Sequence, residues 1–208
     1  MRKKIRKILA LALMGVMAIV VVSCGKKPKF TPEESLNAYM GIVVNGKKDE
    51  IEKLDISEDQ FNKLMKLREV AIEEGINSEP ELANILDKDS STDLISAMKV
   101  ALGKIECNAI SSNIEKDMSY VDVEIKTLDM DAVVNNTIAE ITKNATYLST
   151  LNEDEVGKAV IKEFTKQLEN APLVKEKHKV TIKMIKDNDG QWIINDDEIE
   201  SLITSILK

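Results

Sequence analysis

An α+β fold is what this sequence predicts: an antiparallel sheet of about four strands, packed by N-terminal helices and a C-terminal helix, with an αα-hairpin inserted between strands. Three patterns carry that expectation. Apolar residues recur at helical spacing between Leu36 and Leu102. They alternate with polar residues from Ile105 to Ile125 and again from Val180 to Ile194. Between the alternating stretches, residues 129–175 return to helical spacing, which makes that block an insertion in the sheet.

The first 23 residues differ from everything after them. Arg2, Lys3, Lys4, Arg6 and Lys7 make a cationic start with no acid beside them, and Ile8–Val22 is an uncharged run of 15 residues. A spanning helix needs about 20 apolar residues, so the run suits a secretory signal better than a permanent anchor. It ends at Ser23 and Cys24. The stretch Val21-Val22-Ser23-Cys24 resembles the lipobox of bacterial lipoproteins, with Val21 standing where Leu is commonest. That resemblance implies a signal peptide over 1–23, cleavage between Ser23 and Cys24, and a lipid on the Cys24 thiol with acyl chains such as palmitate. The location implied is the extracytoplasmic face of the cell membrane. Each buried acyl methylene adds about 0.8 kcal/mol, so two chains hold where one would not. The competing reading is an uncleaved N-terminal helix with an incidental cysteine.

Residues 24–31 are then a lipidated N-terminus and basic linker, and the domain is expected over 32–208. Thr31 caps a helix, Pro32 takes its first turn and Glu34 closes a capping box. Leu36, Tyr39, Met40, Val43 and Val44 form its apolar face, and Asn45-Gly46 ends it. Ser57 with Gln60 opens a second helix carrying Phe61, Leu64, Met65, Arg68 and Ile72, stopped at Gly75. A short helical turn is expected over Pro80–Leu86 and a cap-rich loop over Asp89–Asp93. A third helix follows with Leu94, Ile95, Met98, Ala101 and Leu102 inward. Ile105, Cys107 and Ala109 then alternate with polar residues, and a polar loop over Asn113–Asp117 leads to Val121, Val123 and Ile125. This is an antiparallel hairpin with one buried and one wet face.

In the inserted block, Val134, Ile138, Ile141, Ala145 and Leu148 are expected to share one face. After the Asn152–Glu155 box, Val156, Val160, Phe164 and Leu168 share another, until Ala171-Pro172 stops the helix. Val180, Ile182 and Met184, the turn Asp187-Asn188-Asp189-Gly190, then Trp192 and Ile194 read as a second hairpin. Asp196 or Asp197 caps a final helix with Ile199, Leu202, Ile203, Ile206 and Leu207 inward.

Helix Pro32–Val44, strand Val121–Leu128, the arm Asp189-Gly190-Gln191-Trp192-Ile193-Ile194 and the terminal helix, set behind the lipobox, carry a second resemblance. Together they look like the small Gram-positive surface lipoproteins of unknown function with NTF2-like (cystatin-like) domains. The resemblance spans most of the mature chain and implies a curved sheet around a cone-shaped cavity. The inserted helices depart from a compact domain of that kind and would fill or lid the cone. Some members of the wider class are isomerases or hydratases that use an Asp, Tyr or His inside the cone, which directs attention to Tyr39, Tyr120 and Asp122.

The residues themselves argue against chemistry. Asp122 alternates with Val121 and Val123, so it is expected on the wet face, whereas a catalytic carboxyl base needs burial. Asp187-x-Asp189-Gly190 has the spacing of part of a calcium loop, but Ile185 would be its first ligand and Asp196 its twelfth, so a hairpin turn is the better reading. His178 begins a strand between Lys177 and Lys179, without a second His for a metal pair. Cys107 is expected as a small buried hydrophobe, Ser90 and Ser91 as capping residues, and Trp192 as core. No Gly-x-Ser-x-Gly elbow occurs.

Composition narrows the rest. The net charge is −7, and removing residues 1–23 takes away five cations and no acid, leaving −12. That excludes a nucleic-acid face. Two Cys and one His rule out a four-ligand Cys/His zinc site and a disulfide scaffold. No catalytic residue, metal ligand or cofactor is expected. A transporter's solute-binding component would need two α/β lobes, which this pattern does not supply. What remains is a lipid-anchored extracytoplasmic lipoprotein acting as a non-enzymatic binding or interaction module of the cell envelope. Its expected partners are the membrane and either an envelope protein or a small apolar ligand. The alternative is an NTF2-like pocket enzyme or a small apolar-ligand binder.

Overall fold

Thr31, Ser57 and Asn152 each accept a hydrogen bond from the backbone N–H three residues on, while the side chains of Glu34, Gln60 and Glu155 accept from the cap N–H. Reciprocal capping thus starts three helices where the sequence places them. The computed structural model describes residues 2–17, 30–188 and 190–207. In chain order these form α1 (Arg2–Met17), α2 (Pro32–Val43), a 3-10 helix (Lys48–Leu54), α3 (Glu58–Asn77), α4 (Pro80–Ala83) and α5 (Lys88–Lys104). There follow β1 (Glu106–Glu115), β2 (Met118–Lys126), α6 (Met130–Lys143), α7 (Ala145–Leu148), α8 (Glu153–Glu169), β3 (His178–Lys186), β4 (Trp192–Ile194) and α9 (Asp196–Ile206).

The strands make one curved antiparallel sheet in the order β1-β2-β3-β4. Cys107 pairs with Ile125, Val121 with Ile182 and Met184 with Ile194. A bulge between Ala109 and Ser111 bends β1. Val121, Val123, Ile125, Ile182, Met184 and Ile194 are buried on the inner face. There α2 packs on β1, β2 and β4, and α9 on β2 and β3. The alternation in the sequence is the alternation of this face with a wet one. The fold is α+β, as expected.

Helices α6–α8 are inserted between β2 and β3, and the insertion has a pinched neck. Leu128 bridges Leu173, the Asp129 N–H donates to Pro172 O at 2.8 Å, and the Val174 N–H donates to Thr127 O at 2.9 Å. Inside the insertion α8 packs on α5 and α6, burying Ile161, Phe164, Thr165 and Leu168.

Several expectations are corrected. Gly75 does not stop α3, which runs on to Asn77; instead Gly75 lies where Ile8 of α1 comes so close that a Cβ would meet its Cγ2 at 2.8 Å. Asp87 caps α5, so Asp89–Asp93 lie in its first turns rather than in a loop. The polar residues Asn113–Glu115 extend β1, because the hairpin closes in two residues, Lys116 and Asp117, with Lys116 at a left-handed φ of 59°. On α6 the stripe through Ile138 faces outward, with Ile138 58% exposed. Met130, Val133 and Thr137 are buried in its place, since the Thr137 hydroxyl satisfies itself on Val133 O. Asn195, not Asp196 or Asp197, is the N-cap of α9. The 3-10 helix was not legible: its charged residues show no apolar period, yet Ile51 and Leu54 lean on the core.

The first segment is a helix, α1, and it is packed. Ile5, Ile8, Leu9, Ala12, Leu13 and Met17 belong to the core, and α1 lies along α3 while touching α9, α2 and α6. Leu11 and Met14 remain exposed on its far side. No described helix is long and apolar enough to cross a membrane. Ser23, Cys24 and residues 24–29 of the linker lie outside the described residues, as does Asp189.

Candidate functional site

Two concavities meet at Tyr39. One is a shallow recess of about 20 Å³, room for about one water molecule, between α2, the β3–β4 hairpin and α9, lined by Ser35, Leu54, Met184, Trp192, Ile194 and Ile199 around Tyr39. The lining is mostly apolar because β4 turns Trp192 and Ile194 inward with Met184 beside them. Asp187 also borders the recess, but its Oδ1 accepts the Gln191 N–H at 2.8 Å and so closes the hairpin turn. Lys186 Nζ stands 4.9 Å over the Trp192 ring, so this aromatic is both core and cation-bound.

The second concavity is the trough that α1 occupies. At its far end the Tyr39 hydroxyl donates to Met17 O at 2.7 Å. Burial, with the Asp196 charge adding, pushes the Tyr39 hydroxyl well above the usual tyrosine range. Tyr39 is therefore a donor and not a source of phenolate. At the near end Lys4 Nζ meets Glu81 at 2.8 Å and Glu79 at 3.4 Å, Lys7 meets Glu79 at 3.6 Å, and Arg2 pairs with Asp131. Gly75 forms the close-approach point between the ends.

The three residues singled out for cone chemistry are not brought together. Tyr39 faces the core, whereas Tyr120 is 38% exposed on the wet face of β2. Asp122 is on that wet face too, as expected, accepting from Thr181 Oγ1 at 2.8 Å and Ser111 Oγ at 3.2 Å. His178 starts β3 opposite Ile125 and is half-buried rather than fully wet. Among the described residues no His/Cys/Asp/Glu group is placed to hold a metal ion.

Cys107 sits on the inner face of β1, half-buried, and burial pushes its thiol up to about 12. At pH 8 only about one thiol in ten thousand is then the reactive thiolate. In the folded protein Cys107 is expected to react with Ellman's reagent at least a hundred times more slowly than free cysteine, and to react fully in urea. Stoichiometric labelling of the folded chain within a minute would refute its role as a packed apolar residue.

Two functional features escaped sequence reading. Arg68 was placed on an apolar helix face, and the structure shows why: it is buried, and Nη1 donates to Val44 O at 3.0 Å and Val43 O at 3.3 Å. Those are last carbonyls of α2 without a helical partner. The signal was a cation at a core position. Gly75 was read as punctuation, although Ile76 beyond it continues the buried face.

A sheet of four sequential antiparallel strands, backed by amphipathic helices and interrupted by a helical insertion, defines the class of protein, an α+β domain with an apolar recess. The chain belongs to the family described as DUF5105, a domain of unknown function, whose model matches residues 22–207. Helix α1 falls outside the matched range. No curated protein matches the chain. Among solved structures it is similar to ycdA, a candidate lipoprotein of Bacillus subtilis, with a TM-score of 0.64 at 18% identity over 84% of this chain and 55% of that one. The likeness is one of fold, and this chain spans about half the length of that one.

Proposed function

We propose that this chain is a lipoprotein of the extracytoplasmic membrane face, lipidated at Cys24 after loss of residues 1–23, and that its domain is an NTF2-like, non-enzymatic binding or interaction module of the cell envelope. The observation that carries the reading is the N-terminal pattern: five cations, an uncharged run of 15 residues, then Ser23-Cys24. Two findings support it. The family match begins at residue 22, beside the inferred cleavage point, and the similar Bacillus subtilis structure is that of a candidate lipoprotein. For the binding role, support comes from the apolar lining of the recess beside Tyr39, while Asp122 and Tyr120 lie on the opposite sheet face. A small apolar ligand is the alternative to a protein partner, and it would have to move that lining, since the recess holds little more than about one water molecule.

The test expresses the full chain in a Gram-positive host. The wild type is expected to sediment with membranes, lacking residues 1–23 and carrying a lipid on Cys24 by intact mass. Cys24→Ala is expected to leave the lipid-anchored fraction, lowering it at least tenfold. Unchanged retention of Cys24→Ala, or a wild type that keeps residues 1–23, would refute the anchor. Native co-purification with mass spectrometry then separates a bound protein from a bound small molecule, and product formation that depends on Tyr39 would instead favour an enzyme.

A further inference from the structure

Helix α1 shows what the mature domain is shaped to hold. This inference rests on the lipoprotein reading, in which residues 1–23 leave. Their departure would uncover a trough along α3, α9 and the start of α6 that accepts a helix of 16 residues, about 24 Å long. Its floor is apolar, since Ile5, Ile8, Leu9, Ala12, Leu13 and Met17 of α1 are all buried on it. Gly75 lets a helix approach to a distance that any side chain there would block.

The two ends of the trough are chemically unlike. Glu79, Glu81 and Asp131 ring the end that holds the cationic first turns, and at the other the Tyr39 hydroxyl donates to Met17 O, in the last described residue of α1. Acids at a helix N-terminus complement the helix dipole as well as the charges on the side chains. The trough therefore reads direction. Without an occupant, the Tyr39 hydroxyl would be open to water.

We infer that the mature protein uses this trough to bind a cation-led amphipathic helix of another polypeptide outside the membrane, inserted with its basic end between Glu79, Glu81 and Asp131 and a backbone carbonyl about four turns further on against Tyr39. A second copy of the mature chain is a poor occupant. Helices α2, α3, α8 and α9 open on acids, Glu33 and Glu34, Glu58 and Asp59, Glu153 to Glu155, Asp196 to Glu198, and in α5 Lys88 is followed at once by Asp89. An acyl chain offers no cation to the acidic end.

The test uses the mature lipidated protein, made from the full chain and reconstituted in zwitterionic nanodiscs. Its probe is a fluorescent peptide of residues 2–17. Saturable binding beyond that of empty discs is expected. Gly75→Leu should weaken it at least tenfold and Tyr39→Phe severalfold. The double change Glu79→Lys/Glu81→Lys should abolish binding of this peptide and restore it for a peptide in which Lys4 and Lys7 are glutamate. That rescue keeps the test decisive if Gly75→Leu fails to fold. Binding no greater than to empty discs by a correctly processed wild type, binding indifferent to Gly75→Leu with no charge rescue, a dimer at the assay concentration, or an acyl lipid co-purifying in the trough would each overturn the inference. Intact mass separates the two levels: retention of residues 1–23 overturns the lipoprotein reading itself, whereas a processed protein that ignores the peptide overturns the trough alone.

Discussion

Replacing Arg68 with alanine is expected to lower the unfolding free energy by about 3 kcal/mol, among the larger losses available to a single side chain here. The guanidinium is buried between α3 and the end of α2, and its hydrogen bonds serve Val43 O and Val44 O, which no backbone N–H reaches. Bonds to a charged donor contribute about 1.5–3 kcal/mol each, and the donor's own desolvation offsets part of that. Burial alone lowers the Arg68 pKa, yet an arginine stays charged, so the charge is held by the helix-end carbonyls and their dipole. Arg68→Met separates the contributions. It keeps an apolar stem but leaves both carbonyls unpaired, and about 2 kcal/mol of the loss is expected to persist. Urea unfolding of both variants measures this. A loss below about 1 kcal/mol for Arg68→Ala would mean that water reaches the end of α2 and replaces the guanidinium.

Phe164→Ala should cost still more, about 4 kcal/mol, because a fully buried aromatic leaves a cavity that its neighbours close only in part. Its place decides what is lost. Phe164 lies on the helix that ties the insertion to α5, with Ile161 and Leu168 a turn to either side. The variant is expected to keep the sheet and loosen the insertion, so hydrogen exchange should quicken in α6 and α8 before it does in β2 and β3. Uniform acceleration across the sheet would show instead that the insertion and the sheet melt as one unit.

Most of the fold was legible wherever local chemistry decides it. Thr31 with Glu34, Ser57 with Gln60 and Asn152 with Glu155 announce helix starts because reciprocal capping needs only four consecutive residues. Val121, Val123 and Ile125 announce an inner face because a strand's period is fixed by its backbone. What was not legible depended on partners distant in sequence. Gly75 stops a helix in many contexts; here α3 runs on to Asn77, and only the approach of Ile8, distant in sequence, shows why a side chain is excluded at that position. The buried side of α6 was misplaced by one step around the helix, because Thr137 can be buried only once its hydroxyl is bonded within the helix, which composition does not reveal. For the candidate site, Tyr39 was readable as part of an apolar face, while Cys24 rests on a linear pattern alone and lies outside the described residues. The trough itself, assembled from α3, α6, α9 and Tyr39, required tertiary structure.

The pinched neck at Leu128–Leu173 has a consequence for how the chain assembles. Strands β1 and β2 meet across two residues, whereas β2 and β3 are separated by residues 127–177. Closing a longer loop costs roughly 0.6 kcal/mol more for each doubling of its length. As the chain folds, the first hairpin is expected to form early and leave the far edge of β2 bare, an invitation to pair with a neighbouring chain. The bonds at Asp129 and Val174 hold the two ends of the insertion together, so once the neck is closed β3 reaches the open edge as if across a short turn. The neck thus shortens the time for which the sheet stands half made.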